Sequence, residues 1–229
     1  MSFRFLIFYL FFVLEILSQT TENWNKKGID ALKNKDFLTA VDSFKKTLKD
    51  KPDDAFANYN LACTYSLLLA QCEDIESEVH IYNLIQKAIK SKPSYQKKLL
   101  TDTDFVILRG KYYFQKLSGK TKKDILTSIT WFGPSPGAYG PMDQFQFKED
   151  GIFIYSKLDM TESNPIGKLE FTGRYKWIND SQLEIQFDDP SPRKEIGKNK
   201  NLRVNYSDGK LEIQGFDHQF TDDNDRCSA

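Results

Sequence analysis

The chain has 229 residues, enough for one large domain or for two small domains that each bury a hydrophobic core. Lys and Arg together number 32, as do Asp and Glu, so the formal net charge is zero. This balance excludes the strong overall field that would draw the protein to nucleic acid or to an acidic membrane surface.

The first 18 residues have the pattern of a secretory signal peptide. Arg4 precedes an unbroken apolar run at residues 5–14, and polar residues follow at Ser18 and Gln19. The apolar run is about half as long as the roughly 20 residues that a membrane-spanning helix needs. We therefore expect cleavage near Ser18 and export to a periplasm or to the cell exterior. An uncleaved N-terminal anchor is the alternative.

An exported chain meets oxidising conditions, yet this one has only three cysteines, Cys63, Cys72 and Cys227. If Cys63 and Cys72 shared one helix, their Cα atoms would lie about 13 Å apart, beyond the roughly 7 Å that a disulfide allows. Cys227 lies in a polar tail and could pair with either of them or stay free. The sequence therefore leaves the pairing open.

Helical periodicity extends from residue 23 to about residue 117. A first apolar stripe recurs every three or four positions, at Phe37, Val41, Phe44 and Leu48. A second stripe has the same spacing, at Tyr59, Ala62, Tyr65 and Leu69. Pro52 lies between the two stripes, where the first helix must stop. The pattern predicts helices joined as hairpins.

Large and small residues alternate at repeat spacing along these helices. The first hairpin has Trp24, Gly28, Ala40, Phe44 and Pro52. Asn58 lies 34 residues beyond Trp24, and the pattern continues through Leu61, Ala62 and Tyr65. In this respect the segment resembles the tetratricopeptide repeat, whose period is 34 residues. In this repeat, small residues allow close helix approach while large neighbours fill the gaps beside them.

The match has departures. Lys27 and Ala31 stand where the repeat prefers Leu and Tyr, and Asn58 replaces its Trp. Pro93 follows Pro52 by 41 residues, which predicts an insertion within residues 70–80. The next segment is similar to the unit that closes many bacterial arrays of this type, through Asp104, Phe105, Leu108, Arg109 and Phe114.

The resemblance implies a groove, lined by the first helix of each pair, that binds a peptide or a protein segment. The residues expected in this groove are Asn25, Ile29, Leu32, Tyr59, Asn60 and Cys63. The alternative is that the helical half packs mainly on the rest of the chain or forms oligomers.

The pattern changes near residue 125. Residues 129–141 are rich in Gly and Pro, which a helix does not tolerate. Apolar residues then alternate with period two, and Asp150-Gly151, Asn179-Asp180 and Asp208-Gly209 separate the runs as hairpin turns do. Seven or eight short strands are expected, enough for a barrel or a sandwich.

The expected fold class is therefore α+β. Hairpin repeats occupy residues 22–118, a separate antiparallel β domain occupies residues 126–221, and a polar tail follows at residues 222–229. Oligomeric state does not follow from the sequence.

The β half resembles bacterial lipocalin-like domains through a Gly-aromatic opening, the hairpin QFKEDGIFIY and the strand GRYKW. If it is a barrel, its inward aromatic side chains could surround a small apolar ligand, or they could fill the core. Aromatic residues of the Gly/Pro-rich stretch could form a recognition surface, or be buried over a barrel end. The aromatic residues considered are Trp131, Phe132, Tyr139, Phe147, Phe153 and Trp177.

Groupings typical of catalysis are missing from the sequence. His80 and His218 are the only histidines and lie in different halves, and no Cys/His cluster has zinc spacing. A G-x-S-x-G elbow and a Gly-rich phosphate loop are also absent. We therefore expect no enzyme, no metal and no cofactor.

The favoured function is an exported adaptor or scaffold that binds a protein or peptide partner, with no nucleic acid and no stable membrane span after signal cleavage. The alternative is a carrier that holds a small apolar ligand in the β domain.

Overall fold

A computed structural model describes residues 23–73, 76–135, 142–161, 164–188 and 201–223. Helices come first along the chain, and a closed antiparallel β-barrel follows them. The predicted α+β class is therefore confirmed, and the β part is a barrel and not a sandwich. The proposed signal peptide and most of the polar tail lie outside the described residues.

The helical elements occupy residues 24–128. They are α1 (Trp24–Lys33), α2 (Phe37–Asp50), α3 (Ala55–Ala70), α4 (Glu78–Ser91), α5 (Ser94–Lys98), the 3₁₀ helix η1 (Thr103–Leu108), α6 (Tyr112–Leu117) and α7 (Lys122–Ser128). Within the described residues, no helix has both the length and the apolar character needed to cross a bilayer.

The longer helices begin where side chains satisfy their free backbone N–H groups. Asn23, Asp36, Asp54 and Ser77 each accept a hydrogen bond from the backbone nitrogen three residues later. Such caps contribute about 1 kcal/mol each to helix stability. The sequence thus determines the starts of α1–α4 locally.

Small residues allow the helices to approach closely. A Cβ atom on Gly28 of α1 would lie 2.6 Å from the Phe44 ring of α2. On α3, Ala62 is fully buried between Tyr59 and Tyr65, which are also buried. These residues belong to one core that extends over α1–α5, η1 and α6.

Within the described residues, eight strands form the barrel in sequential order. They are β1 (Thr130–Phe132), β2 (Asp143–Phe147), β3 (Ile152–Thr161), β4 (Asn164–Asn179), β5 (Gln182–Phe187), β6 (Asn201–Ser207), β7 (Lys210–Ile213) and β8 (Gln219–Thr221). Each strand pairs antiparallel with the next, and Phe132 of β1 pairs with Thr221 of β8 to close the barrel.

The turn between β6 and β7 follows from its sequence. Asp208 and Gly209 have φ values of 41° and 80°, so both central residues are left-handed. Asp-Gly is a preferred pair for such a type I′ hairpin turn. The apolar runs around Phe171 and Tyr175 belong to the single long strand β4.

Aromatic side chains occupy the barrel interior. Buried and exposed residues alternate along β6, with Leu202, Val204 and Tyr206 facing inward. The Phe145 ring of β2 lies 4.7 Å from the Tyr155 ring and 4.9 Å from the Phe220 ring. Such aromatic pairs each add about 0.5–1.5 kcal/mol beyond the burial of their area.

The two ends of the barrel differ. At the end that we call the helical end, Ile125 and Leu126 of α7 and Tyr112 of α6 share the barrel core. Trp131 Nε1 donates to the Leu126 carbonyl oxygen at 3.1 Å, and the Tyr206 hydroxyl donates to the Lys122 carbonyl oxygen at 3.3 Å. At the opposite end, the loop end, strands β1, β3, β5 and β7 finish and strands β2, β4, β6 and β8 begin.

Polar contacts join the last strand to the helices. The Asp222 carboxylate accepts a hydrogen bond from the Tyr112 backbone nitrogen. The Lys111 ammonium lies 3.3 Å from the Asp223 carboxylate and 3.2 Å from the Glu78 carboxylate of α4. The first residues after β8 therefore lie against α4 and α6.

A substitution at Gly173 of β4 tests the packing of the barrel. A Cβ atom there would overlap the Phe153 ring and the Gln186 carbonyl oxygen. We expect Gly173→Ala to lower the free energy of unfolding by about 1–3 kcal/mol, as overpacked cores do. Denaturant unfolding measures this change.

Gly110→Ala is the matched control, because nothing lies within 4 Å of the Cβ position at Gly110. Equal unfolding midpoints for the two variants would contradict the close approach of β4 to Phe153.

Candidate functional site

The first site lies where α1, α3, α5 and η1 meet, and we call it the inner face. Asn25 Nδ2 of α1 donates to the Asp54 carboxylate at 3.4 Å, and Asp54 caps α3. The predicted groove residues Ile29, Leu32 and Asn60 are half-buried on α1 and α3. The structure therefore brings α1 and α3 together through this polar contact.

Tyr59 holds the third element of the inner face in place. Its ring stacks on the Tyr95 ring of α5 at 4.2 Å and meets the Phe105 ring of η1 edge-on at 5.6 Å. Its hydroxyl donates to the Asp102 carboxylate at 2.8 Å. Burial raises the pKa of Tyr59, so the hydroxyl keeps its proton and remains a donor at neutral pH.

Cys63 lies one turn further along α3, with 1% of its surface exposed. Ligand atoms of Cys63, Asp102 and Asp104 lie within 4.8 Å of one another. Burial raises the pKa of the Cys63 thiol, and the thiol is hydrogen-bonded to the Asp104 carboxylate. The hydrogen bond from the Cys63 thiol to the Asp104 carboxylate links α3 to η1 within this group.

The predicted groove residues thus divide into two sets. Asn25, Ile29, Leu32 and Asn60 retain part of their exposure. Tyr59 and Cys63 are covered by α5 and η1, and a bound segment would reach them only if η1 moved away. In the structure, the Tyr59 hydroxyl positions Asp102 and the Cys63 thiol positions Asp104 through hydrogen bonds.

The rim of the inner face carries two neighbouring carboxylates. Asp102 and Asp104 are both half-buried, and the Lys98 ammonium lies 5.1 Å from the centre of the Tyr59 ring. Burial, and then the charge of Asp102, raises the pKa of Asp104. Two carboxylates therefore share this rim with the Lys98 ammonium and with Arg109, whose Nη2 donates to the Asp102 carbonyl oxygen at 3.0 Å. Repulsion between the two carboxylates persists beside these cations.

An apolar strip runs beside this rim. Phe56 of α3 is 39% exposed and lies one helical turn before Tyr59 and Asn60. Residues three or four apart share one face of a helix. Phe56 therefore lies on the inner face with the half-buried Ile29 and Leu32 of α1. The sequence did not single out Phe56 or Asp102, and it pointed to Asp104 only through the resemblance of the closing unit. The helical spacing of Phe56 from Tyr59 was a usable signal.

The second site is a polar cluster at the loop end of the barrel. The buried Asp143 carboxylate accepts from the Tyr155 hydroxyl at 2.9 Å and lies 3.2 Å from His218 Nε2. His218 Nδ1 lies 2.9 Å from the Asp217 carboxylate. A Cβ atom on Gly133 would overlap the Asp143 carboxylate, so this cluster requires Gly at that position.

A surface groove of about 580 Å³ adjoins the second site. Its lining includes Phe216 and His218 together with Arg203 and Glu212. Gln219 Nε2 donates to the Glu212 carboxylate at 2.6 Å. The hydrogen bonds that Asp143 and His218 make with neighbouring side chains support a structural role for the cluster. Asp143 and His218 are 75 residues apart, so no sequence motif linked them.

The aromatic residues proposed as ligand or surface contacts of the β domain have different positions. Trp131, Phe147 and Phe153 are buried in the barrel core. Phe132 and Trp177 are half-buried, and Tyr139 lies outside the described residues. The buried members therefore fill the barrel interior.

No protein-family model, no curated protein and no solved structure matches this chain.

Tyr155→Phe tests the cluster at the loop end. The substitution removes the hydroxyl that donates to the buried Asp143 carboxylate. We expect the free energy of unfolding to fall by about 1–3 kcal/mol, the cost of leaving a buried acceptor with one donor fewer. Tyr113→Phe is the matched control, because Tyr113 is 47% exposed. Similar losses for the two variants would contradict the role of the Tyr155 hydroxyl.

Asp104→Asn tests the charge on the inner face. A carboxyl whose pKa is raised by folding costs stability once it is ionised, and this cost grows as pH rises from about 4 through the raised pKa. We expect the variant to melt at a higher temperature than wild type near pH 7. The difference in melting temperature between the variant and wild type should vanish at about pH 3, where the carboxyl group of Asp104 is protonated and as neutral as the amide that replaces it.

Asp53→Asn is the control, because Asp53 is exposed in the turn between α2 and α3. Thermal unfolding across this pH range measures the effect. A wild-type protein that melts at or above the temperature of Asp104→Asn near pH 7 would argue against repulsion at this rim.

Proposed function

We propose that the protein is an exported adaptor that binds a segment of another protein on its inner face. In this proposal the pairs α1/α2 and α3/α4 act as tetratricopeptide-like hairpins, and α5 to α6 act as the closing unit. The observation that carries it is the pairing of Asp102 and Asp104 beside the apolar strip of Phe56, Ile29 and Leu32.

The chemistry of this face selects the kind of segment it binds. The carboxylates of Asp102 and Asp104 would accept hydrogen bonds from a Lys or Arg side chain, which forms charge-assisted bonds. Apolar side chains next to that residue would cover Phe56, Ile29 and Leu32. The proposed ligand is therefore a segment with a basic residue flanked by apolar residues.

The position of the barrel supports this assignment. The helices meet the barrel core through Tyr112 of α6 and Ile125 and Leu126 of α7. The inner face is formed by other elements, α1, α3, α5 and η1. Packing of the helices on the barrel therefore does not account for the exposed part of the inner face.

The carrier alternative has less support. Two of the aromatic side chains that were expected to surround a ligand, Phe147 and Phe153, are packed on each other, with ring centres 6.1 Å apart. Phe145 and Tyr155 pack beside them in the same core, with ring centres 4.7 Å apart. Small barrels commonly fill their interiors in this way. The barrel would then serve as a rigid support for the helices.

The state of Cys72 supports export. Cys72 is disulfide-bonded, and stable disulfides are typical of proteins that fold outside the reducing cytosol. The predicted signal peptide and this bond agree with a periplasmic or secreted location.

Peptide display tests the proposed ligand class. We expect random peptides selected on the purified protein to be enriched in Lys or Arg flanked by apolar residues. A labelled selected peptide, followed by fluorescence anisotropy, should bind Asp104→Asn about tenfold more weakly, because one charge-assisted contact is lost. Its affinity for wild type should fall as salt is added.

Asp53→Asn should bind the peptide like wild type, since Asp53 lies outside the inner face. Phe56→Ala should weaken binding through the apolar strip. Selected peptides without basic residues, or equal affinity for wild type and Asp104→Asn, would overturn the proposal.

A further inference from the structure

We propose that the groove beside the second site binds a neutral oligosaccharide. Residues of β6, β7, β8 and the β7–β8 connection line it, and its volume is about 580 Å³. This volume falls within the roughly 300–1,000 Å³ of most small-molecule sites. It exceeds what one sugar ring fills, so a short chain of sugar rings fits it. We call it the outer groove, because most of its strand residues are exposed: Arg203, Asn205, Glu212 and Gln219.

Three of these exposed polar side chains form a row across neighbouring strands. Asn205 of β6 pairs with Glu212 of β7, and Glu212 pairs with Gln219 of β8. Directly opposed residues on antiparallel strands have Cβ atoms about 4.5–5.5 Å apart. The row therefore presents one planar polar group after another, at a spacing close to the width of a sugar ring.

The row offers both the donors and the acceptors that sugar hydroxyls need. A hydroxyl both donates and accepts hydrogen bonds, so it pairs with carboxylate and amide groups alike. Gln219 Nε2 donates to Glu212 Oε1 at 2.6 Å, and Gln182 Nε2 donates to Asn205 Oδ1 at 3.0 Å. These bonds hold the row in place. Among the described residues, neither Glu212 Oε2 nor Asn205 Nδ2 takes part in a further hydrogen bond, so an acceptor and a donor are left for a ligand.

The charges of the outer groove favour a neutral ligand. Arg203 is positive, and Glu212 and Asp217 are negative. An anionic ligand meets two carboxylates, and a cationic ligand meets the guanidinium group. A charge of either sign is therefore repelled somewhere along the groove, whereas hydroxyl groups bind side chains of both signs.

Phe216 supplies an apolar surface in the same groove. Its ring is half-buried, with its centre 5.6 Å from the centre of the Phe145 ring and 5.3 Å from that of the Phe220 ring. Because this packing fixes the ring before a ligand arrives, binding costs little side-chain entropy. The C–H groups on one face of a sugar ring pack on such an aromatic surface, while its hydroxyls reach the polar row.

The cluster at the loop end holds the β7–β8 connection in position. His218 Nε2 lies 3.2 Å from the Asp143 carboxylate of β2, and His218 Nδ1 lies 2.9 Å from the Asp217 carboxylate. Both ring nitrogens are thus engaged, and the connection that carries Phe216 is held against β2. The groove is therefore shaped before it binds.

Titration calorimetry of the full chain with defined oligosaccharides tests this site. The neutral probes are short chains of α-linked glucose, β-linked glucose, xylose and N-acetylglucosamine, and an oligogalacturonate is the acidic comparison. We expect at least one neutral series to bind, with an affinity that stays constant as salt is added, because no ion pair forms. The acidic comparison should bind more weakly. Saturating the inner face with a selected peptide should leave the saccharide affinity unchanged, since α1, α3, α5 and η1 form that face.

Variants locate the binding in the outer groove. Glu212→Ala should weaken binding of the neutral probe about tenfold, because the row loses its carboxylate acceptor. Phe216→Leu keeps an apolar side chain but removes the flat ring, and it should weaken binding several-fold. Glu149→Ala is the matched control, because Glu149 is exposed in the turn between β2 and β3.

Glu212 is itself exposed, so Glu212→Ala should unfold at the same denaturant midpoint as wild type. The absence of binding by every neutral series, or tighter binding of the acidic comparison, would overturn the proposal. So would equal affinities of Glu212→Ala and Glu149→Ala for the neutral probe.

Discussion

The closure of the helical end of the barrel by Tyr112 and α7 is the interaction on which the rest of the structure depends. Ile125 and Leu126 are buried in the same core as the strands, and each such side chain contributes about 1.5–3 kcal/mol on burial. The helices and the barrel therefore share part of one interior. Pulling them apart would expose this interior to water, so the position of the helices is tied to the folding of the sheet.

This shared core also determines which helical surfaces stay available. The contacts of Lys111 with Glu78 and Asp223 lie at the same junction, on α4 and α6. The inner face, built around Tyr59 and Asp102, belongs to other elements and retains its charge and its exposed Phe56. One part of the helical layer is thus used for assembly of the molecule, and another part forms the proposed binding surface.

Local signals in the sequence predicted much of the fold. The helical stripes, the Asp208-Gly209 turn and the alternation in β6 are all properties of neighbouring residues. Barrel closure was left open because it depends on Phe132 pairing with Thr221, far along the chain, and β1 lies in a stretch that otherwise favours loops. The approach of Asp102 and Asp104 to Cys63 is likewise a tertiary event, since η1 lacks the spacing of the helices before it. The tetratricopeptide interpretation stays a prediction.

The order of the strands makes the helical end and the loop end of the barrel unequal. The connections at the helical end include the short turns around Gly151, Ser181 and Gly209, and Gly209 lies against the Tyr112 ring. Among the described residues, the helical side chains of the barrel core come from α6 and α7, at the helical end. Insertions in the turns at this end would push the helices off the sheet. The architecture therefore constrains the length of these turns.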